Sequence, residues 1–161
     1  MPWLGEQPYE SKLLSLLDEV NSYKAQNHRV FLVGASAGAS AALNLYAEYS
    51  GRVDGVVLIC PKINRPETVG SAIYEVNPAF RTALTLLQSN IALLTSRRKA
   101  RIAIYYSPKD GIISYNDRKL PGVKEFRLPP IRHGYAIMYA ITLGSFRLCS
   151  RLKALAAEQN T

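Results

Sequence analysis

Apolar positions along this chain fall into two rhythms. Leu13, Leu14, Leu16, Leu17 and Val20 recur every three to four residues, which predicts an amphipathic helix from Lys12 to about Ala25 with Ser11 as its cap. Val30 to Val33 and Val53 to Cys60 are instead almost continuous apolar runs, the pattern of strands buried on both faces of a parallel sheet. Arg101 to Tyr106 and Val123 to Leu128 predict a third and a fourth strand. A helix after Ser36 runs through Ala41, Leu43 and Tyr46 and stops near Ser50-Gly51, where a glycine suits a helix end. Residues 63–76, with Pro66 and Gly70, read as irregular. Asn77-Pro78 then opens a helix whose apolar face carries Phe80, Leu84, Leu87, Ile91 and Leu94. One last helix runs from about Tyr135 to Ala157, and residues 1–10 form a lead-in loop.

Helices alternating with short strands predict one domain over residues 1–161. It is a three-layer α/β/α fold around a small, mostly parallel sheet of about four strands. In such sheets the ligand site lies beyond the carboxyl ends of the strands.

Composition narrows the function classes. With 48% hydrophobic and 20% charged residues the chain reads as an ordinary globular domain, without an apolar run long enough to span a membrane. Its first residues lack the basic start and apolar core of a signal peptide. Cys60 and Cys149 lie far apart and outside any metal-binding spacing, so both read as reduced thiols of a cytoplasmic protein. The net charge of +8 raises the question of a nucleic-acid partner. The basic residues are scattered, however, and the one tight run, Arg97-Arg98-Lys99 with Arg101, reads as a solvated connector with no nucleic-acid motif beside it.

The chemistry concentrates at Gly34-Ala35-Ser36-Ala37-Gly38, between the first strand and the helix after it. Gly-x-Ser-x-Gly in that setting is the nucleophile-elbow pattern, with Gly34 and Gly38 leaving room for a sharp turn. A serine needs a base, and the chain has two histidines. His28 precedes the first strand, roughly 25 Å from the elbow at about 3.3 Å per residue. His133 follows the fourth strand and lies at the right end. Asp110 follows the third strand and is the best-placed carboxylate to orient His133. Asp117 is the fallback, Asp54 lies at the wrong end of its strand, and Glu125 lies inside one. This chemistry calls for neither a metal nor an organic cofactor. Lys109 and Arg132 beside the site hint at acidic substrates, and the ten tyrosines at aromatic ones.

The order Ser36, Asp110, His133 and the contexts Gly-Ala-Ser-Ala-Gly, Ser-Pro-Lys-Asp-Gly-Ile-Ile and Pro-Pro-Ile-Arg-His-Gly-Tyr resemble the α/β-hydrolase superfamily over nearly the whole chain. The resemblance implies a serine hydrolase, an esterase or thioesterase for small acyl esters, with the Ala37 N–H as one oxyanion-hole donor. It implies a minimal form, beginning at the nucleophile strand without about four preceding strands and the second oxyanion donor they bring. Residues 63–98 stand where the superfamily inserts a lid and would form a short cap over an open pocket. Val30 to Val33 would be a sheet edge, covered by the N-terminal segment or by a second copy in a homodimer. Two other readings compete: a non-catalytic hydrolase-like binding module, and a dinucleotide-binding reductase suggested by Gly34-x-x-x-Gly38 and Tyr115-x-x-x-Lys119.

Overall fold

The computed structural model describes residues 7–157. Helix α1 spans Tyr9–Ala25 and strand β1 Phe31–Ala35; α2 (Gly38–Glu48) and β2 (Gly55–Ile59) follow. A 3-10 turn (Pro66–Thr68), α3 (Ser71–Val76) and α4 (Pro78–Asn90) come next. A second 3-10 turn (Ile91–Leu93) and α5 (Ser96–Lys99) lead to β3 (Ile102–Tyr106). The chain continues through α6 (Tyr115–Arg118), β4 (Lys124–Arg127), α7 (His133–Ile141) and α8 (Ser145–Ala157).

All four strands are parallel, and their order in the sheet is their order in the chain, β1-β2-β3-β4. Ala35 pairs with Ile59 and Ile59 with Tyr105, so the carboxyl ends of the first three strands form one rim. One face of the sheet (Leu32, Val56, Leu58, Ile102, Ile104) packs against α1, α2 and α4. The other (Val57, Ile59, Ala103, Tyr105) packs against Ala136, Ala140, Leu148 and Leu155 of α7 and α8. The fold is thus a three-layer α/β/α sandwich.

Local elements depart from the sequence expectations where tertiary contacts outweigh local signals. Helix α1 begins at Tyr9, Pro8 takes the cap position, and Ser11 lies inside the helix. Burial of Tyr9, whose hydroxyl accepts from Asn44 at 2.9 Å, supports this extra turn. The lead-in loop therefore ends at Pro8, and its residues 1–6 lie outside the described ones, together with any cover they give β1. Helix α2 ends at Glu48, and the N–H of the capping Tyr49 donates to Leu45 O before Gly51 is reached. Residues 63–76 are not irregular throughout, since the first 3-10 turn and α3 lie there. The final helix is two helices, because the chain turns sharply at Thr142–Gly144. The Gly144 N–H donates to Tyr139 O, and a Cβ on residue 144 would lie 3.0 Å from that oxygen.

β2 is buried along its whole length, as its apolar run predicts. β1 is not: Val33 is 50% exposed, and among the described residues β1 pairs only with β2. The basic run forms α5, anchored by Arg98 donating to Ala47 O at 3.2 Å and Leu93 O at 3.0 Å. Among the described residues no helix is long and apolar enough to cross a membrane.

Candidate active site

Only two residues separate β1 from α2, so the chain must reverse within Ser36 and Ala37. Ser36 has φ +50°, a left-handed conformation that L-residues rarely adopt. Hydrogen bonds hold it there. The Ser36 N–H donates to Ile59 O at 3.0 Å, and Ser36 O accepts from Ala39 N and Lys62 N, both at 3.2 Å. Gly34 is required by space: a Cβ there would lie 2.8 Å from Ala39 Cα and from Gly38 O. Ala37 takes the cap position of α2 beside Ser36.

Asp110 closes the turn that leaves β3, its N–H donating to Ser107 O at 3.3 Å. Gly111, at φ +76°, lets the chain fold back over the carboxylate. Asp110 Oδ1 accepts the N–H groups of Ile112 at 3.0 Å and Ile113 at 2.7 Å. Burial alone would raise this carboxyl. The Ile113 N–H, His133, Cys60 and the Ile112 N–H together outweigh it and hold Asp110 below the usual aspartate range.

His133 opens α7, and its backbone N–H donates to Asp110 O at 3.0 Å. Its Nδ1 lies 2.8 Å from Asp110 Oδ2 and 2.9 Å from Oδ1. Its Nε2 lies 2.9 Å from Ser36 Oγ. A carboxylate can only accept, so Nδ1 carries the proton and Nε2 is free to accept from the serine hydroxyl. The structure therefore brings Ser36, His133 and Asp110 into one hydrogen-bonded chain, with Ala37 alongside. Asp110 and His133 are almost wholly buried.

The other titratable candidates go elsewhere. His28 packs against Tyr23 of α1, with ring centroids 6.1 Å apart, before β1 begins. Asp54 binds Lys24 Nζ at 2.5 Å and the Val30 N–H at 2.6 Å at the far end of the sheet. Glu125 of β4 pairs with Arg118 at 3.5 Å. Tyr115 opens α6, where Lys119 Nζ lies 5.5 Å above its ring.

Asp117 is buried, but its partners are cations. Oδ1 accepts from Lys62 Nζ at 2.5 Å and Arg65 Nε at 3.1 Å, and Oδ2 from Ser114 Oγ at 2.6 Å. Lys62 Nζ also donates to Thr68 Oγ1 at 2.6 Å. Asp117 thereby ties the turn that carries Thr68 to α6. No local signal in the sequence marks Lys62 or Arg65 as its partners, because the contact spans 55 residues for Lys62.

Two cavities meet at the site. One, of about 310 Å³, runs from Ser36 and Ala37 beneath Thr68, Val69 and Ile73 to Phe80. The other, of about 590 Å³, is lined by Lys109, Arg132, His133, Tyr135 and Met138. Ile112 borders both. In the described residues lining these two cavities, Asp110 is the single carboxylate.

A parallel sheet with this elbow at its first strand and an acid and a histidine beyond later strands defines an α/β-hydrolase fold. Solved structures agree. A metagenome-derived lipolytic enzyme of the LipS and LipT pair is 14% identical, with 94% of this chain and 74% of that one covered at a TM-score of 0.65. A carboxylesterase from the thaumarchaeon Nitrososphaera gargenis is 13% identical, with 98% and 76% covered at 0.62. The esterase domain of a Rhodothermus marinus protein is 17% identical, with 89% and 69% covered at 0.57. A family model described as serine aminopeptidase, S33, matches residues 10–138, and the chain belongs to that family of hydrolases. No curated protein matches.

Proposed function

We propose that the chain is a serine hydrolase of the esterase or thioesterase type, acting through Ser36, His133 and Asp110. The observation that carries this reading is the contact of His133 Nε2 with Ser36 Oγ at 2.9 Å while Nδ1 holds Asp110 at 2.8 Å. Ser36 gives its proton to Nε2 as Oγ bonds to the ester carbonyl carbon. The carbonyl oxygen takes up the negative charge against the Ala37 N–H. His133 passes the proton to the departing alkoxide or thiolate, leaving an acyl-serine. Water then gives a proton to His133, attacks the acyl carbon and releases the acid, and Ser36 recovers its proton. Asp110 stays ionised throughout and steadies the imidazolium.

The 310 Å³ cavity receives the acyl group, with residues 66–76 as a small cap above it. It sits at the lower end of the roughly 300–1,000 Å³ typical of small-molecule pockets, which favours a short acyl chain. An aminopeptidase needs an acidic group to bind the substrate's α-ammonium. The cavity walls supply Lys109 and Arg132 and no spare carboxylate among the described residues, which favours a neutral or anionic ester. Two free thiols suit a reducing, cytoplasmic setting.

A series of p-nitrophenyl esters of increasing acyl length tests the reading. Wild type turns over the short members, and Ser36→Ala abolishes turnover and fluorophosphonate labelling together. Equal labelling of the two proteins, or none in either, leaves a binding module instead. The open edge of β1 is proposed to meet a second copy of the chain or the N-terminal segment. A monomeric mass together with rapid amide exchange from Phe31 to Val33 removes both.

A further inference from the structure

The relay has a fourth polar neighbour. Cys60 follows β2 directly, and its N–H donates to Tyr105 O at 2.7 Å while the preceding Ile59 O accepts from Ser36 N. Those two bonds seat Cys60 on the rim between the strand that ends at Ser36 and the strand that leads to Asp110. Its backbone is left-handed, φ +46°, a strained conformation that persists only where the surrounding structure enforces it. The residue is 1% exposed. Its Sγ, a carboxylate oxygen of Asp110 and a ring nitrogen of His133 all lie within 4.8 Å of one another.

We propose that Cys60 is a positioning residue. Its S–H donates to the Asp110 carboxylate, shares that group's charge with the imidazole, and so sets how strongly Asp110 grips His133. The groups facing the thiol support a donor role. Burial, the hydrogen bond to Asp110 and that carboxylate's charge push the thiol up to about 12, against smaller opposing pulls from the Ser107 backbone and from Arg118. The sulfur therefore stays protonated at neutral pH, a donor and not a nucleophile. Asp110 counts the same bond among those holding its carboxyl down. Among the described residues its remaining donors are two backbone N–H groups and His133, so the thiol is the one side chain besides the imidazole itself that can modulate the carboxylate.

The kinetic half of the test rests on the esterase reading, whereas the spectroscopic half does not. Cys60→Ala removes the donor, and Cys60→Ser restores one. In Cys60→Ala the carboxylate is less shared, so the downfield proton resonance of His133 Nδ1–H moves further downfield than in wild type. Cys60→Ser brings it back. With p-nitrophenyl acetate, kcat of Cys60→Ala rises about twofold to tenfold at unchanged KM, because the imidazolium formed in the transition state is held more firmly; this is the range expected for one lost hydrogen bond. The acidic limb of its kcat/KM profile moves to higher pH, because the imidazolium is held more firmly, and Cys60→Ser reverses this. An unmoved resonance in Cys60→Ala overturns the proposal, whatever the activity. The expected resonance shifts in a protein without esterase activity leave the positioning role standing and sink the esterase reading alone. Should Cys60→Ala not fold, Cys60→Ser against wild type decides: the stronger hydroxyl donor moves the resonance upfield, and no movement rejects the role.

Discussion

Two buried aspartates lie seven positions apart after β3, and they have opposite employment. Asp117 is surrounded by cations: Lys62 and Arg65 bind one oxygen and Ser114 the other. Asp110 is surrounded by neutral donors: two backbone N–H groups, a thiol and an imidazole. Burial disfavours both charges, and both carboxyls nonetheless sit below the usual aspartate range because their hydrogen bonds outweigh it. The difference lies in what charge is left over. Lys62 and Arg65 consume that of Asp117, which becomes a structural knot between the Pro66–Thr68 turn and α6. Among the described residues no cation binds Asp110, so in the proposed reaction its field is available to a histidine that has just taken up a proton. A carboxylate's use is thus set by its partners more than by its depth.

Substitutions that keep shape and remove charge separate the two. Asp110→Asn is expected to cut ester turnover roughly ten-thousand-fold, the loss that a wrong imidazole tautomer produces in such a relay. Its melting temperature stays near that of wild type. Preserved turnover would mean that Asp110 only shapes the turn. Asp117→Asn reverses the pattern. It strands the Lys62 ammonium and costs about 3–5 kcal/mol in urea denaturation, as broken buried ion pairs do. Its kcat stays within roughly tenfold of wild type, a change of about 1.4 kcal/mol in the barrier, while KM rises as the cap loosens.

How much of this was legible beforehand follows the same division. Ser36, Asp110 and His133 could be placed because each follows a strand, and a parallel sheet sends every strand end to one rim. Ala37 came with the elbow. The knot around Asp117 could not be read, since Lys62 and Arg65 reach it across the fold and no spacing rule links them. Cys60 was hidden for a simpler reason: at the end of an apolar run a cysteine looks like one more core residue. The half-exposed Val33 could not be read from its apolar run, which looks the same at an edge as in the middle of a sheet; only the family resemblance implied the edge that the structure has. The break before α8 was masked by apolar spacing that continues across Thr142–Gly144.

Two smaller effects refine the comparison. Replacing both ends of the knot, Lys62→Met with Asp117→Leu, is expected to recover most of the stability lost in Asp117→Asn, because an apolar pair leaves no orphaned charge. No such partner swap rescues Asp110→Leu, whose defect is catalytic. The last test is acid. A carboxyl whose folded pKa is depressed adds stability above its unfolded value, near 3.9, and loses it as pH falls through the folded value. Wild-type melting temperature is therefore expected to be flat from about pH 7 to 5 and to drop below about pH 4. Asp117→Asn starts lower and shows a shallower acid decline. Equal slopes in the two proteins would place the acid sensitivity elsewhere.

The order β1-β2-β3-β4 also governs when the chemistry can exist. Each strand docks beside the one made just before it, so the sheet can grow in the direction of synthesis without waiting for a distant partner. Ser36 follows β1, but its proposed base, His133, lies 97 residues further on and follows β4. In the proposed reaction a growing chain therefore carries an elbow with no proton acceptor until β4 and the start of α7 have docked. On the proposed reading, reactivity waits for the docking of β4, and a copy in which β4 is not yet in place is chemically quiet.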